Sequence, residues 1–273
     1  MLVHVKDEHD PRLDLYRQVR ERDLVGRRHR FVAEGTFVVE HLCGGRTRFA
    51  IESLLLEERR VDSLRRACAT LPVDVPVYVV SQTIMDRVVG FHIHRGVLGI
   101  GIEAQRLSID DLLTRPNAKL VVCIEGVTNH DNVGGIFRNA AAFGADCVLM
   151  DHLTCHPLYR KAIRVSVGGS LLVPFAISET SLQYVESLEG YGFRCIALTP
   201  QKGAPVLEEL LRGLQSERIA LVLGSEEPGL SSTVLSRCEQ AHIEMAFGFD
   251  SLNVSVASGI ALHTVARHLG RIS

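Results

Sequence analysis

Side chains suited to binding and polar chemistry gather in three short stretches of the second half of the chain. They are Asn132-Val-Gly-Gly-Ile-Phe-Arg138, Leu221-Val-Leu-Gly-Ser-Glu-Glu-Pro-Gly-Leu230 and Ser251-Leu-Asn-Val-Ser-Val-Ala257. Together they offer asparagine amides at Asn132 and Asn253, a carboxylate at Glu226, a hydroxyl at Ser251 and the guanidinium of Arg138. Each stretch follows an apolar run or opens a helix, where backbone N–H groups can face a ligand. The pair Gly134-Gly135 costs about 1 kcal/mol per glycine relative to alanine inside a helix. Such a pair points to another backbone or a substrate at close range. Each stretch also has a plain structural reading. Asn132 is suited to cap one helix and Ser251 the last one, while Glu226 and Glu227 could cap a helix from Ser231. Three such stretches in order in one half of the chain point to one active site.

Those residues need a scaffold that brings strand ends together. Beyond residue 118, apolar runs recur at the spacing of alternating strands and helices: Lys119–Ile124, Cys147–Met150, Leu171–Ala176, Cys195–Thr199, Ile219–Leu223 and Ala241–Met245. Strands without polar alternation, separated by helices, predict a parallel sheet covered on both faces. Ligands of such sheets bind outside the carboxyl ends of the strands, which is where Gly224-Ser225-Glu226 falls. A long final helix is expected over Leu252–Leu269, and its small residues (Ser255, Ala257, Ser258, Gly259, Ala261) suit very close packing.

Residues 1–102 read as a smaller α/β domain. Helices are expected at Leu13–Leu24, Thr36–Cys43, Arg59–Leu71 and Gln82–Val89, with a short strand or turn at 31–35 and strands at Ala50–Leu56, Val75–Val80 and Gly96–Ile102. The polar stretch 103–117, with one short helix at Ile109–Leu113, reads as a linker. Residues 118–273 then form the second domain.

With 273 residues, 46% of them hydrophobic, the chain can bury a real core. No apolar run approaches the roughly 20 residues that span a bilayer. The start, Met1-Leu-Val-His-Val-Lys, lacks the pattern of a secretory signal. Seven scattered cysteines without Cys-x-x-Cys spacing suggest reduced thiols and a cytoplasmic protein. Net charge is −2 and argues for no polyanionic partner by itself. Residues 12–66, however, are dense in arginine: Arg17, Arg20, Arg22, Arg27, Arg28, Arg30 and others. They form either a solvated face balanced by Glu21, Asp23, Glu57 and Glu58, or a surface that tracks phosphates. Phosphate-loop, dinucleotide-fold, zinc-protease and nucleophile-elbow motifs are missing. His152, Cys155 and His156 lack metal-ligand spacing, so no metal is expected.

At the three stretches the chain resembles the SpoU/TrmH-type RNA ribose methyltransferases of the SPOUT superfamily. Asn132-x-Gly-Gly-Ile-x-Arg138 with Ala142-Phe-Gly144, Gly224-Ser-Glu226…Gly229-Leu230 and Ser251-Leu-Asn253-Val-Ser-Val-Ala257 are similar to its three motifs. Lys161-Ala-Ile-Arg-Val-Ser166-Val-Gly168 resembles the linking segment. Phe31-Val-Ala-Glu-Gly35 and His94-Arg-Gly96-Val-Leu98 resemble, more loosely, an RNA-binding domain that many members carry. The resemblance implies a deep trefoil knot in the C-terminal sheet domain, a homodimer, and S-adenosyl-L-methionine bound near Gly224, Ile243, Met245, Leu252 and Asn253. It implies methyl transfer to a ribose 2′-hydroxyl of ribosomal RNA (23S) or transfer RNA. Arg138, Asn132, Glu226, Ser251 and Asn253 would be the catalytic set. Two alternatives stay open: a base methyltransferase of the same superfamily, and a non-catalytic RNA-binding or ribosome-assembly protein with a residual cofactor pocket. Two positions depart from the family pattern, Glu227 after the motif glutamate and Glu244 between Ile243 and Met245.

Overall fold

The computed structural model describes residues 2–17, 24–26, 29–201, 203–214, 217–246 and 251–272. The chain divides into two compact units, one of residues 1–105 with 158–172, the other of 106–157 with 173–273.

In the first unit five strands form a mixed sheet: β1 (Leu2–His4), β2 (Arg30–Glu34), β3 (Ala50–Glu57), β4 (Val77–Val80) and β5 (Val97–Ile102), in the order β1-β4-β3-β5-β2. β4 runs parallel to β1 and β3, while β5 is antiparallel to β2 and β3. Helix α1 (Thr36–Cys43) ends at Gly44, and α2 is the short Arg65–Ala69. In α3 (Gln82–Val89) the Ser81 hydroxyl caps the start, and left-handed Gly90 closes the end. The helix expected over Arg59–Leu71 therefore survives only as a 3-10 turn at Glu58–Arg60 and as α2. Within that stretch only Leu64 is buried, so no apolar stripe holds a longer helix against the sheet. Of the helix expected at Leu13–Leu24, Pro11–Tyr16 is a 3-10 helix and residues 18–23 lie outside the described residues.

The second unit opens with α4 (Ile109–Leu113), which carries a reciprocal Ser108–Asp111 capping box. Then come β6 (Leu120–Glu125), α5 (His130–Ala142) and β7 (Cys147–Asp151). Two short helices follow in the chain, α6 (Arg160–Val165) and α7 (Gly169–Leu172), and both group with the first unit. The second unit resumes with β8 (Phe175–Ser178), α8 (Ser181–Gly190), β9 (Arg194–Leu198), α9 (Leu207–Arg212) and β10 (Ile219–Gly224). It ends with α10 (Ser232–Leu235), β11 (Glu239–Ala241) and α11 (Val254–His268). All six strands are parallel, ordered β11-β9-β10-β6-β7-β8. Every residue of β6 and β7 is buried, which is why these strands read as unbroken apolar runs.

The run Leu171–Ala176, expected as one strand, is split. Pro174 cannot continue α7 and biases Val173 away from helical backbone, so helix gives way to strand there. The strand expected at Ala241–Met245 sits earlier, at Glu239–Ala241; Ile243 and Met245 instead line a cavity.

α5 and α11 approach closely. A methyl group on Gly135 would lie 1.9 Å from Ser255 Oγ and 2.8 Å from Ser255 Cβ. Beside it Asn139 donates to the Ser255 carbonyl (2.7 Å) and to Ser258 Oγ (2.9 Å). Only glycine fits at 135, which accounts for that half of the pair. Gly135→Ala should destabilise the protein by about 1–3 kcal/mol, the usual cost of overpacking. Denaturant midpoints check this, and adding Ser255→Gly should restore most of the loss.

All seven cysteines are free thiols. Burial pushes Cys43 and Cys147 up to about 12 and Cys123 well above its ordinary value, so these three are inert packing groups.

Candidate active site

Three loops meet at the carboxyl ends of β6 and β10. Asn129, rather than Asn132, caps α5: its side chain accepts from Asp131 N at 2.8 Å. Asn132 therefore lies inside the first turn with its amide available. It donates from Nδ2 to Glu226 Oε1 at 2.9 Å and accepts at Oδ1 from Asn253 Nδ2 at 2.8 Å. Asn253 also donates to Glu226 Oε1, at 3.0 Å. Each of the three expected motifs contributes one corner of this triangle.

Asn253 has a second task. Its Oδ1 accepts from Ser255 N and Val256 N, so Asn253, not Ser251, is the cap of α11. Glu226 caps no helix, because α10 is capped by its own Ser231. Glu226 is instead committed to Asn132, 94 residues away, a partner that local spacing does not reveal.

Next to the triangle lies a cavity of about 450 Å³, within the range of small-molecule sites. Its wall includes Gly224, Ile243, Met245 and Leu252 of the expected donor-binding set and Ser251 and Glu226 of the expected catalytic set. Asn253, expected in both, is not among the lining residues, because its side chain is turned to Asn132 and Glu226. Leu198, Thr199, Pro200 and Gln201, at and just beyond the end of β9, also line it, and sequence reading passed over them as site residues. Glu227 and Glu244, the two departures from the family pattern, are not among the residues that line it. Gly224 is obligatory here. A Cβ at this position would lie 2.6 Å from Leu230 N and 2.7 Å from Gly229 C, so the loop folds back directly on the strand end.

Among the described lining residues Glu226 is the one carboxylate, and none is cationic. An apolar wall with one negative group suits a flat, partly apolar ligand that carries positive charge. These residues fit S-adenosylmethionine.

Arg138 is on α5, exposed, and outside the cavity wall. Among the described residues it makes no ion pair or hydrogen bond, so its guanidinium is uncommitted. Arginines of the first unit differ. Arg12, Arg17, Arg30 and Arg48 face Asp10, Asp14, Glu52 and Glu103, which favours the balanced-face reading for those four. Arg65 and Arg66 on α2 are exposed without such partners, while Arg20, Arg22, Arg27 and Arg28 lie outside the described residues. His92 pairs with Asp86 at 2.7 Å, and His152 Nδ1 lies 2.5 Å from the Glu179 carbonyl. Among the described residues no cluster of three His, Cys, Asp or Glu could hold a metal ion.

A parallel α/β sheet with its polar cradle at the carboxyl rim of the central strands places the site where open α/β sheets bind their ligands. Residues 119–263 match the model of the SpoU rRNA Methylase family. An uncharacterized tRNA/rRNA methyltransferase of Mycobacterium tuberculosis (strain ATCC 25618 / H37Rv) is 37% identical over 97% of this chain and 93% of its own length. Two solved structures share the fold at lower identity. The AdoMet-bound rRNA methyltransferase from Sinorhizobium meliloti has a TM-score of 0.82 at 21% identity, covering 100% of this chain and 99% of that one. An RNA 2′-O ribose methyltransferase has a TM-score of 0.77 at 21% identity, covering 99% and 100%. This chain belongs to the SpoU rRNA methylase family and is an RNA methyltransferase.

Proposed function

We propose that the protein methylates a ribose 2′-hydroxyl of RNA, with ribosomal RNA (23S) as first candidate and transfer RNA as second. The methyl donor is S-adenosyl-L-methionine. The observation that carries this reading is the pairing of a donor-sized cavity beside Glu226 with an uncommitted guanidinium, Arg138, on the helix that also supplies Asn132.

The bound donor supplies an activated methyl on a sulfonium, open to direct displacement. Gly224, Ile243, Met245 and Leu252 would hold its body, and Ser251 shapes the wall. The triangle of Asn132, Glu226 and Asn253 locks the loops in register, so alignment is in place before substrate arrives. Arg138 binds the phosphate beside the target ribose and stabilises the negative charge that develops on the 2′ oxygen. A guanidinium does not give up its proton in proteins, so water or the phosphate takes the hydroxyl proton.

Residues 1–102 serve as the RNA-binding domain, with exposed Arg65 and Arg66 as phosphate contacts, and 118–273, apart from the segment 158–172 that groups with the first unit, as the catalytic domain. Val256 and Ile260, one helical turn apart on α11 and 53% and 40% exposed, form an apolar stripe suited to a homodimer contact. In keeping with the family, the final segment threads its own chain as a trefoil knot. No helix among the described residues is long and apolar enough to cross a membrane, in keeping with cytoplasmic work.

The test is nucleoside mass spectrometry and 2′-O-methyl mapping of total RNA with and without the protein. A methyl on one ribose that depends on the protein is the expected result. A methyl on a base would install the base-methyltransferase reading instead. No new methyl and no donor binding by calorimetry would favour a non-catalytic RNA-binding protein.

A further inference from the structure

Glu125 closes β6 with its side chain buried, and neither spacing nor motif singles it out. Its two carboxylate oxygens are both used. Ser181, the first residue of α8, donates its hydroxyl to Oε1 at 2.5 Å, and the Ser231 N–H donates to Oε2 at 2.9 Å. Ser231 immediately follows the loop 225–230, whose Glu226, Pro228, Gly229 and Leu230 line the cavity. The front of that loop is held by Glu226 in the triangle, so Glu125 holds its rear.

The carboxylate is itself aimed by a second acid. Gly126, with φ of +66°, makes the turn after β6, and its N–H donates to both oxygens of buried Asp151 at 3.1 Å. Asp151 also accepts from Thr154 N (2.9 Å) and Thr154 Oγ1 (2.6 Å). The ends of adjacent strands β6 and β7 thus form a chain of charge-assisted bonds, Asp151 to Gly126 and Glu125 to Ser231, that ends one residue beyond Leu230 of the cavity wall.

The geometry points to Glu125 as a positioning residue for the methyl donor: it sets the shape of loop 225–230 by holding the Ser231 N–H. It touches neither ligand nor reacting atoms. A buried carboxylate whose sole role was to satisfy α8 would need only the Ser181 bond. The bond to the loop ties it to donor affinity. This inference rests on the cavity being the donor site.

Glu125→Gln keeps the shape and removes the charge. With its N–H₂ toward the Ser181 hydroxyl, which can accept, the Ser231 N–H meets only a neutral amide oxygen and loses its charge assistance. The expected result is an approximately tenfold rise in the Kd for S-adenosylmethionine by calorimetry, the scale of one charge-assisted hydrogen bond. At saturating donor, kcat should stay within about twofold, because alignment by the triangle is untouched. Ser181→Ala, which removes the other bond, should leave the Kd unchanged. Ser231→Pro deletes the N–H and keeps Glu125, and the Ser231 φ of −64° accepts proline. Measured against Ser231→Ala, it should repeat the rise in Kd. A folded Glu125→Gln that binds donor like wild type overturns the assignment, as does Ser181→Ala weakening binding equally. If Glu125→Gln fails to fold, an unchanged Kd in Ser231→Pro overturns it. Absence of donor binding by the wild-type protein would instead remove the donor reading of the cavity.

Discussion

Replacing Arg138 with alanine should lower kcat by on the order of 10²–10³-fold, the cost of losing one preorganised group that stabilises developing oxygen charge. The Kd for S-adenosylmethionine should stay within about twofold, because the side chain is not part of the cavity wall. The two numbers must separate. A variant that turns over normally removes Arg138 from the chemistry, and one that also loses donor binding would mean that the guanidinium supports the loops. Arg138→Lys is an informative companion. An ammonium restores charge without the planar fork, so partial recovery is expected if phosphate is held through two parallel bonds. Because Arg138 is exposed and uncommitted, neither change should move the melting temperature, which keeps the readout free of folding effects.

Gly224→Ala should produce the opposite split. The added methyl meets main-chain atoms of Leu230 and Gly229 at 2.6 and 2.7 Å, where no side chain can swing aside. The loop must move outward, and overpacking of this kind costs about 1–3 kcal/mol. If the loop pays this only when the cavity is occupied, donor affinity falls about 10- to 100-fold at 1.4 kcal/mol per factor of ten. Calorimetry or protection by donor in thermal melts reads the loss. Undiminished affinity would mean that the donor does not sit against this strand end.

How far the sequence revealed all this depends on the range of the interactions involved. Thr36–Cys43, Gln82–Val89 and Ile109–Leu113 were legible to the residue, because a local glycine or serine punctuates each one. The parallel sheet of the second unit was legible from unbroken apolar runs such as those of β6 and β10. Arg59–Leu71 misled because charged residues of good helix propensity favour a helix that nothing packs against. The mixed pairing of the first sheet, with β5 between β3 and β2, depends on contacts between distant segments and leaves no local mark. The same limit applies at the site. Motif likeness pointed to Asn132, Glu226 and Asn253 together, but the helix-start pattern also favoured Asn132 and Ser251 as caps, where Asn129 and Asn253 serve. Asn139 and Glu125 were passed over, since each finds its partners in distant segments of the chain. The spacing of Asn139 four residues after Gly135 was the one available signal, as it places both on the same helix face.

The amide of Asn253 reaches back 121 residues to Asn132, and Glu226 reaches back 94. Vectorial synthesis therefore makes the cradle last of all. A chain still on the ribosome, with α11 inside the exit tunnel, has β6 and α5 outside but no third corner and no Ser255 to meet Gly135. If the cavity is the donor site as proposed, capture of the methyl donor would be reserved for molecules whose second unit has emerged as far as α11.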